Sequence, residues 1–101
     1  MPEIVTPAKF ALPVNQDEVK KSWKERGYSY HLFTDPPGQE WNGFVHSTNE
    51  LVTVLEGALE LTIGNESCTA SPGDEVFIPC DAVHSVKNVY GGTTRWAFGY
   101  D

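Results

Sequence analysis

Beyond Gly27, turn signals recur too often for a long helix to form. DPPG at 35–38, EG at 56–57, GN at 64–65, SPGD at 71–74, PCDA at 79–82 and YGG at 90–92 cut the chain into short pieces. Proline removes a backbone donor and glycine opens the left-handed region, so each signal ends whatever precedes it. The pieces between them, 28–33, 43–47, 50–55, 58–63, 66–70, 75–78, 84–89 and 94–100, have strand length. Two alternate openly. Leu59, Leu61 and Ile63 oppose Glu60 and Thr62, and Trp96, Phe98 and Tyr100 oppose Arg95, Ala97 and Gly99. That period of two belongs to strands with one buried face. Strands at this spacing predict an all-β domain, a small β-barrel or jelly roll.

One short helix is expected, over about 15–26. Asn15 followed by Glu18 has the form of a capping box, and Gly27 offers the left-handed stop. Val19 and Trp23 share its buried face, while Lys20, Lys21, Lys24 and Arg26 form a solvated face placed toward the negative end of the helix dipole. Residues 1–14, with Pro2, Pro7 and Pro13, read as an extended N-terminal arm that pairs with a sheet edge or a second subunit. Residues 15–101 then make the single barrel domain.

With 101 residues and 40% apolar content, the chain supports one domain and a real core. Its net charge of −7 opposes binding to phosphate backbones and anionic lipid, so neither nucleic acid nor membrane is an expected partner. No segment approaches the roughly 18 apolar residues of a membrane span, and MPEIVTPAKFALPVN lacks the pattern of a secretory signal. A cytoplasmic location is expected. Cys68 and Cys80 form no C-x-x-C pair and are expected to be reduced, with Cys80 a small buried filler. No G-x-S-x-G elbow or phosphate-binding glycine loop occurs.

His46 and Glu50 stand four apart around a strand–loop–strand junction, and His84 opens a later strand. Two imidazoles and a carboxylate suit one divalent ion such as zinc, iron, manganese, cobalt or nickel. In a small β protein those residue types alone are a weak signal. Their surroundings strengthen it. Gly38 is followed by QEWNG, Phe44-Val45-His46, STN, Glu50, six residues and Gly57; Gly73 is followed by DEVFI, Pro79-Cys80-Asp81, then His84 and Asn88.

These two runs resemble the paired motifs of the cupin superfamily, separated here by the short stretch 58–72. The resemblance implies a small cupin-type barrel in which His46, Glu50 and His84 are three of the usual four metal ligands. The chain departs from the family twice. Phe44 stands where the first motif has a histidine, and Asp81 where the second has a glycine. Asp81 falls in a turn, where aspartate tolerates unusual backbone geometry. Phe44 leaves two readings: a dry pocket that has lost its metal, or a two-His-one-carboxylate face with open coordination positions. Retention of the other three ligands at motif spacing favours the second.

Strand alternation turns His46, Glu50, Val52, Val54, His84 and Val86 toward the interior, where a barrel of about eight strands can hold one small ligand. Phe44 and Trp41 are candidate pocket walls, Trp41 with Glu40 in the loop entering the first motif. His31 shares strand parity with Phe33 and is a further candidate. Asn49 is a turn residue and Asn88 a structural one. The expectation is a metal-dependent enzyme of oxygenase, isomerase or decarboxylase type acting on a small organic molecule, as the cupin resemblance implies. The alternative is a non-catalytic module that senses a metal or small ligand. A homodimer is expected, because the arm and the aromatic strand 94–100 would otherwise leave exposed edges.

Overall fold

A computed structural model describes residues 4–101, so the first three residues of the expected arm, Pro2 included, lie outside the described residues. The elements in chain order are β1 (Val5–Thr6), α1 (Gln16–Glu25), β2 (His31–Asp35), β3 (Glu40–Phe44), β4 (Glu50–Glu56), β5 (Leu59–Ile63), β6 (Glu66–Ala70), β7 (Glu75–Ile78), β8 (His84–Asn88) and β9 (Thr94–Tyr100). They form a five-stranded sheet ordered β1-β7-β4-β9-β2 and a four-stranded sheet ordered β3-β8-β5-β6. Named neighbours pair antiparallel throughout. This is the jelly-roll arrangement that the turn spacing predicts.

The main core lies between the sheets. Val52 and Val54 from β4, Val76 and Ile78 from β7 and Trp96 from β9 meet Leu59, Leu61 and Ile63 from β5 and Val86 from β8. Leu59 and Leu61 are fully buried, and each such side chain contributes about 1.5–3 kcal/mol.

The other parity of β4 and β9 faces the helix. Leu51 and Ala97 pack with Val19, Trp23 and Phe10 in a second cluster, making α1 a third layer on the five-stranded sheet. Asn15 caps the helix, its side chain accepting from the Asp17 and Glu18 backbone N–H groups. Gly27, at φ +84°, ends it: its N–H bonds the Lys24 carbonyl and the Tyr28 N–H bonds the Trp23 carbonyl. Gly99 admits the return segment, since a Cβ there would collide with the Ser29 carbonyl oxygen.

Several boundaries differ from the sequence expectation. The strand expected at 28–33 begins at His31, because Tyr28 and Tyr30 pack against the helix cluster instead. The strand expected at 43–47 runs from Glu40 to Phe44, so Glu40 and Trp41 are paired residues opposite Lys87 and Val86, not loop residues. Gly43, at φ +72°, sits in the register shift between Trp41 and Phe44. Part of the arm is built into the domain: Val5–Thr6 pairs with β7, and Phe10 is buried in the helix cluster. Strand 94–100 is not an edge, since β9 lies between β4 and β2. Cys68 and Cys80 are free, but Cys80 is exposed and fills no core position.

Arg26 departs from the expected solvated face. Its guanidinium makes a paired contact with the buried Glu75 carboxylate, which also accepts the Trp23 indole N–H at 2.9 Å. The bond to Glu75 raises the Arg26 pKa against the opposing effect of burial. Arg26→Ala would leave a mostly buried carboxylate with one donor. Because Arg26 itself is partly exposed, the expected loss is about 1–2 kcal/mol, read as a lower urea midpoint at unchanged slope.

Candidate metal centre

His84 opens β8 in register with Phe44 on β3 and Ile63 on β5. Glu50 opens β4 on the facing sheet, opposite Ile78 and Tyr100. The short link between β3 and β4 carries His46. Residues far apart in sequence thus meet at one end of the space between the sheets. Glu50 Oε1 lies 3.6 Å from His46 Nε2 and 3.5 Å from His84 Nε2. All three potential ligand atoms fall within 4.8 Å of one another. Ligand atoms about 2.1 Å from a shared tetrahedral ion stand roughly 3.4 Å apart, so the spacing suits coordination.

Glu50 and His84 are only 4% and 3% exposed, and Glu50 Oε1 has no hydrogen-bond partner. His84 Nδ1 donates to the Ala82 carbonyl at 3.1 Å. That bond fixes the tautomer and leaves the Nε2 lone pair of the neutral ring facing the carboxylate. Two acceptors then point at each other across a gap that a cation or a proton would bridge. Burial works against a charge on His84, yet the Glu50 carboxylate and the Ala82 carbonyl together raise its pKa. The residues present fit a divalent ion.

The surrounding turns hold the ligands. Asp81 stands at φ +62°, a conformation that favours glycine, and its N–H bonds the His46 carbonyl at 2.7 Å. Asn49 does more than turn the chain. Its side-chain oxygen accepts the Cys80 N–H at 2.8 Å, and its own N–H and amide bind the Asp101 carboxylate at 2.9 and 2.8 Å.

Beside the three side chains lies a cavity of about 150 Å³. Phe33, Trp41, Phe44, Phe98 and Tyr100 form its walls, with Val86 and Trp96 deeper. The Phe44 ring lies beside two of the candidate ligands: its centroid is 6.2 Å from that of His46 and 6.0 Å from that of His84. Burial, reinforced by the Glu50 charge, raises the Tyr100 phenol pKa.

Three of the pocket candidates fall elsewhere. Val52 and Val54 point inward, as alternation demands, but are sealed in the core. His31 keeps the expected parity yet is exposed, stacked on the Phe98 ring at 5.2 Å without lining the cavity. Asp35, by contrast, escaped sequence reading. It is 1% exposed, and its two carboxylate oxygens accept the indole N–H groups of Trp41 and Trp96, each at 3.0 Å. Only the proximity of two distant tryptophans reveals that role; in sequence, Asp35 is the first residue of a proline turn.

No functionally curated protein matches the sequence. Among solved structures, TT1209 from Thermus thermophilus is 27% identical with a TM-score of 0.66, the match covering 72% of this chain and 71% of that one. The SPY1581 protein of unknown function from Streptococcus pyogenes is 22% identical with a TM-score of 0.67, covering 72% of this chain and 62% of that one. An oxalate oxidase in complex with the substrate analogue glycolate has 21% identity and a TM-score of 0.67, covering 74% of this chain but only 42% of its own. Among the described residues, no helix is long and apolar enough to cross a membrane. The family model described as Cupin domain matches residues 31–100, the span from β2 to the end of β9 that carries every strand but β1 and all three candidate ligands, so this chain belongs to that family.

Proposed function

We propose that the chain binds one divalent metal ion through His46, Glu50 and His84 and acts, as a metal-dependent enzyme, on a small organic molecule in the adjoining cavity. The observation that carries this reading is the unpartnered Glu50 Oε1, held between two imidazole nitrogens in a buried site. A buried carboxylate oxygen without a partner costs about 1–3 kcal/mol or more, a cost that a bound cation removes. A zinc, iron, manganese, cobalt or nickel ion bound there would supply Lewis acidity or redox chemistry.

The chain's own residues do the rest. Glu50 supplies charge, and the Ala82 carbonyl orients His84 for coordination through Nε2. The aromatic walls offer water few partners, and Phe44 leaves coordination positions free on its side of the site. Oxalate, named in the oxalate oxidase match, is not carried over: apart from the proposed ion, no lysine or arginine among the described residues lines the cavity to meet its second carboxylate. A non-catalytic binding module is the second reading. It is favoured by the scarcity of proton-transfer groups, since among the described residues Tyr100 is the one such side chain on the walls besides the three candidate ligands.

The test is metal analysis of protein reconstituted with each candidate ion. About one ion per chain is expected, in keeping with a single closed ligand set; persistent substoichiometric uptake rejects the reading. Turnover across a panel of small molecules then separates enzyme from binding module. Phe44→His adds an imidazole beside the existing two and is expected to tighten metal binding by about 1–3 kcal/mol after the lost apolar burial is subtracted. Isothermal titration measures it, and unchanged or weaker affinity in a folded variant shows that the position does not reach the ion.

We also read the protein as cytoplasmic, supported by its two free thiols, and as a homodimer. With β9 interior, the outer strands are β1, β2, β3 and β6, and the β2 edge beside exposed Leu32 is the contact we favour. Light scattering that finds only monomer at high micromolar concentration rejects the dimer.

A further inference from the structure

We propose that the cavity is a slot for a single planar unsaturated ring carrying an oxygen donor, and not for a sugar or an aliphatic acid. The inference rests on the metal-centre reading only for where that oxygen goes; the ring itself is selected by the walls.

Six rings close a collar around the cavity. Centroid separations run 6.3 Å from Phe44 to Trp41, 5.6 Å from Trp41 to Phe33 and 6.4 Å from Phe33 to Phe98. They continue at 5.9 Å from Phe98 to Tyr100, 5.0 Å from Tyr100 to His46 and 6.2 Å from His46 back to Phe44. Such spacings are those of interacting aromatic pairs, and a ring inserted among them finds partners of the same kind.

Size and polarity narrow the occupant. A cavity of about 150 Å³ matches the engineered apolar cavity of that volume known to hold benzene. The indole N–H groups of Trp41 and Trp96 are already committed to Asp35. Among the described residues, the walls outside the three candidate ligands therefore offer one free polar group, the Tyr100 hydroxyl. Hydroxyls of a polyol turned toward these walls would be buried without partners. A ring with one oxygen directed toward His46, Glu50 and His84 buries none.

Asp35 is the positioning residue of this slot, because a single buried carboxylate sets two of its walls. Its place beneath Trp41 and Trp96 makes their orientation independent of the occupant.

The probes are phenol, its saturated counterpart cyclohexanol, and oxalate, titrated into the full chain with and without added metal and followed by tryptophan fluorescence and calorimetry. Phenol is expected to bind roughly tenfold tighter than cyclohexanol, the factor that aromatic contact adds beyond area. The preference is expected in metal-free protein too, with added metal tightening phenol further. Equal or stronger binding of cyclohexanol or oxalate to metal-free protein overturns the slot, as does the absence of phenol binding. Phenol selectivity without any metal uptake upholds the slot and rejects the metal reading, so the two failures are distinguishable. Trp41→Leu is expected to lose most of the preference for phenol over cyclohexanol without changing metal content; a preserved preference overturns the proposal. Phe33→Leu, at an exposed position, makes the same test if Trp41→Leu does not fold.

Discussion

Glu50→Gln is expected to abolish metal-dependent stabilisation while leaving the metal-free protein at least as stable as the parent. The two halves have one cause. In the metal-free parent, Glu50 is a buried carboxylate with an unpartnered oxygen. An amide of the same shape removes the charge, and its NH2 group can donate to the His84 Nε2 lone pair. In alkaline buffer the variant gains about 1–2 kcal/mol without metal. With metal, the same change deletes the one anionic ligand, and affinity is expected to fall by about 3–5 kcal/mol, a large share of a three-ligand site. Thermal unfolding with and without added ion measures both. A less stable metal-free variant that keeps its metal affinity would mean that Glu50 is a structural acid and not a ligand.

The largest expected loss of stability away from the site comes from Asn88→Ala. The Asn88 amide group donates to the carbonyls of Asp35, Pro36 and Gly92 at 3.0, 2.9 and 3.0 Å. Its oxygen accepts from the Tyr90 N–H at 2.9 Å and the Thr94 hydroxyl at 2.7 Å. With Asn88 at 2% exposure, water cannot replace these partners. Each bond contributes about 1 kcal/mol and each stranded partner adds a desolvation cost, so the expected loss is about 3–5 kcal/mol by urea unfolding. A loss below about 1 kcal/mol would mean the two turns hold without it. The damage should also reach the cavity, because the carbonyl that Asn88 binds belongs to Asp35.

What could be read from the sequence follows the range of the interaction. The alternation of Leu59 to Ile63 needs only neighbours along a strand, and the structure keeps it. In β9 Trp96 is buried but Phe98 and Tyr100 are half-buried, while Ala97 and Gly99 on the opposing face are buried because the helix layer covers that face. His46, Glu50 and His84 were legible because the spacing around them resembles the paired cupin motifs, and the structure brings them within reach of one another. Asp81 accepts a glycine-like φ as its place in a turn suggested.

Long-range pairing was not legible. Nothing near Arg26 announces Glu75, and nothing near Asp35 announces Trp96. Glu40 and Trp41 looked like loop because strand formation there depends on Lys87 and Val86, which lie far along the chain. Val52 and Val54 share parity with Glu50, but parity does not say how far along the strand the cavity extends. Strand 94–100 looked like an edge because strand order is invisible in strand composition.

The two turns that bear the candidate ligands are tied to each other before anything binds. Asp101 grips Asn49, Asn49 grips the backbone at Cys80, and Asp81 grips the backbone at His46. The His46–Glu50 link and the approach to His84 therefore move as one rigid unit. An ion entering this site has no loop to order, so little conformational entropy is lost on capture. Affinity is then set by ligand chemistry alone, and ions that differ in preferred geometry should be ranked by their fit to a fixed frame.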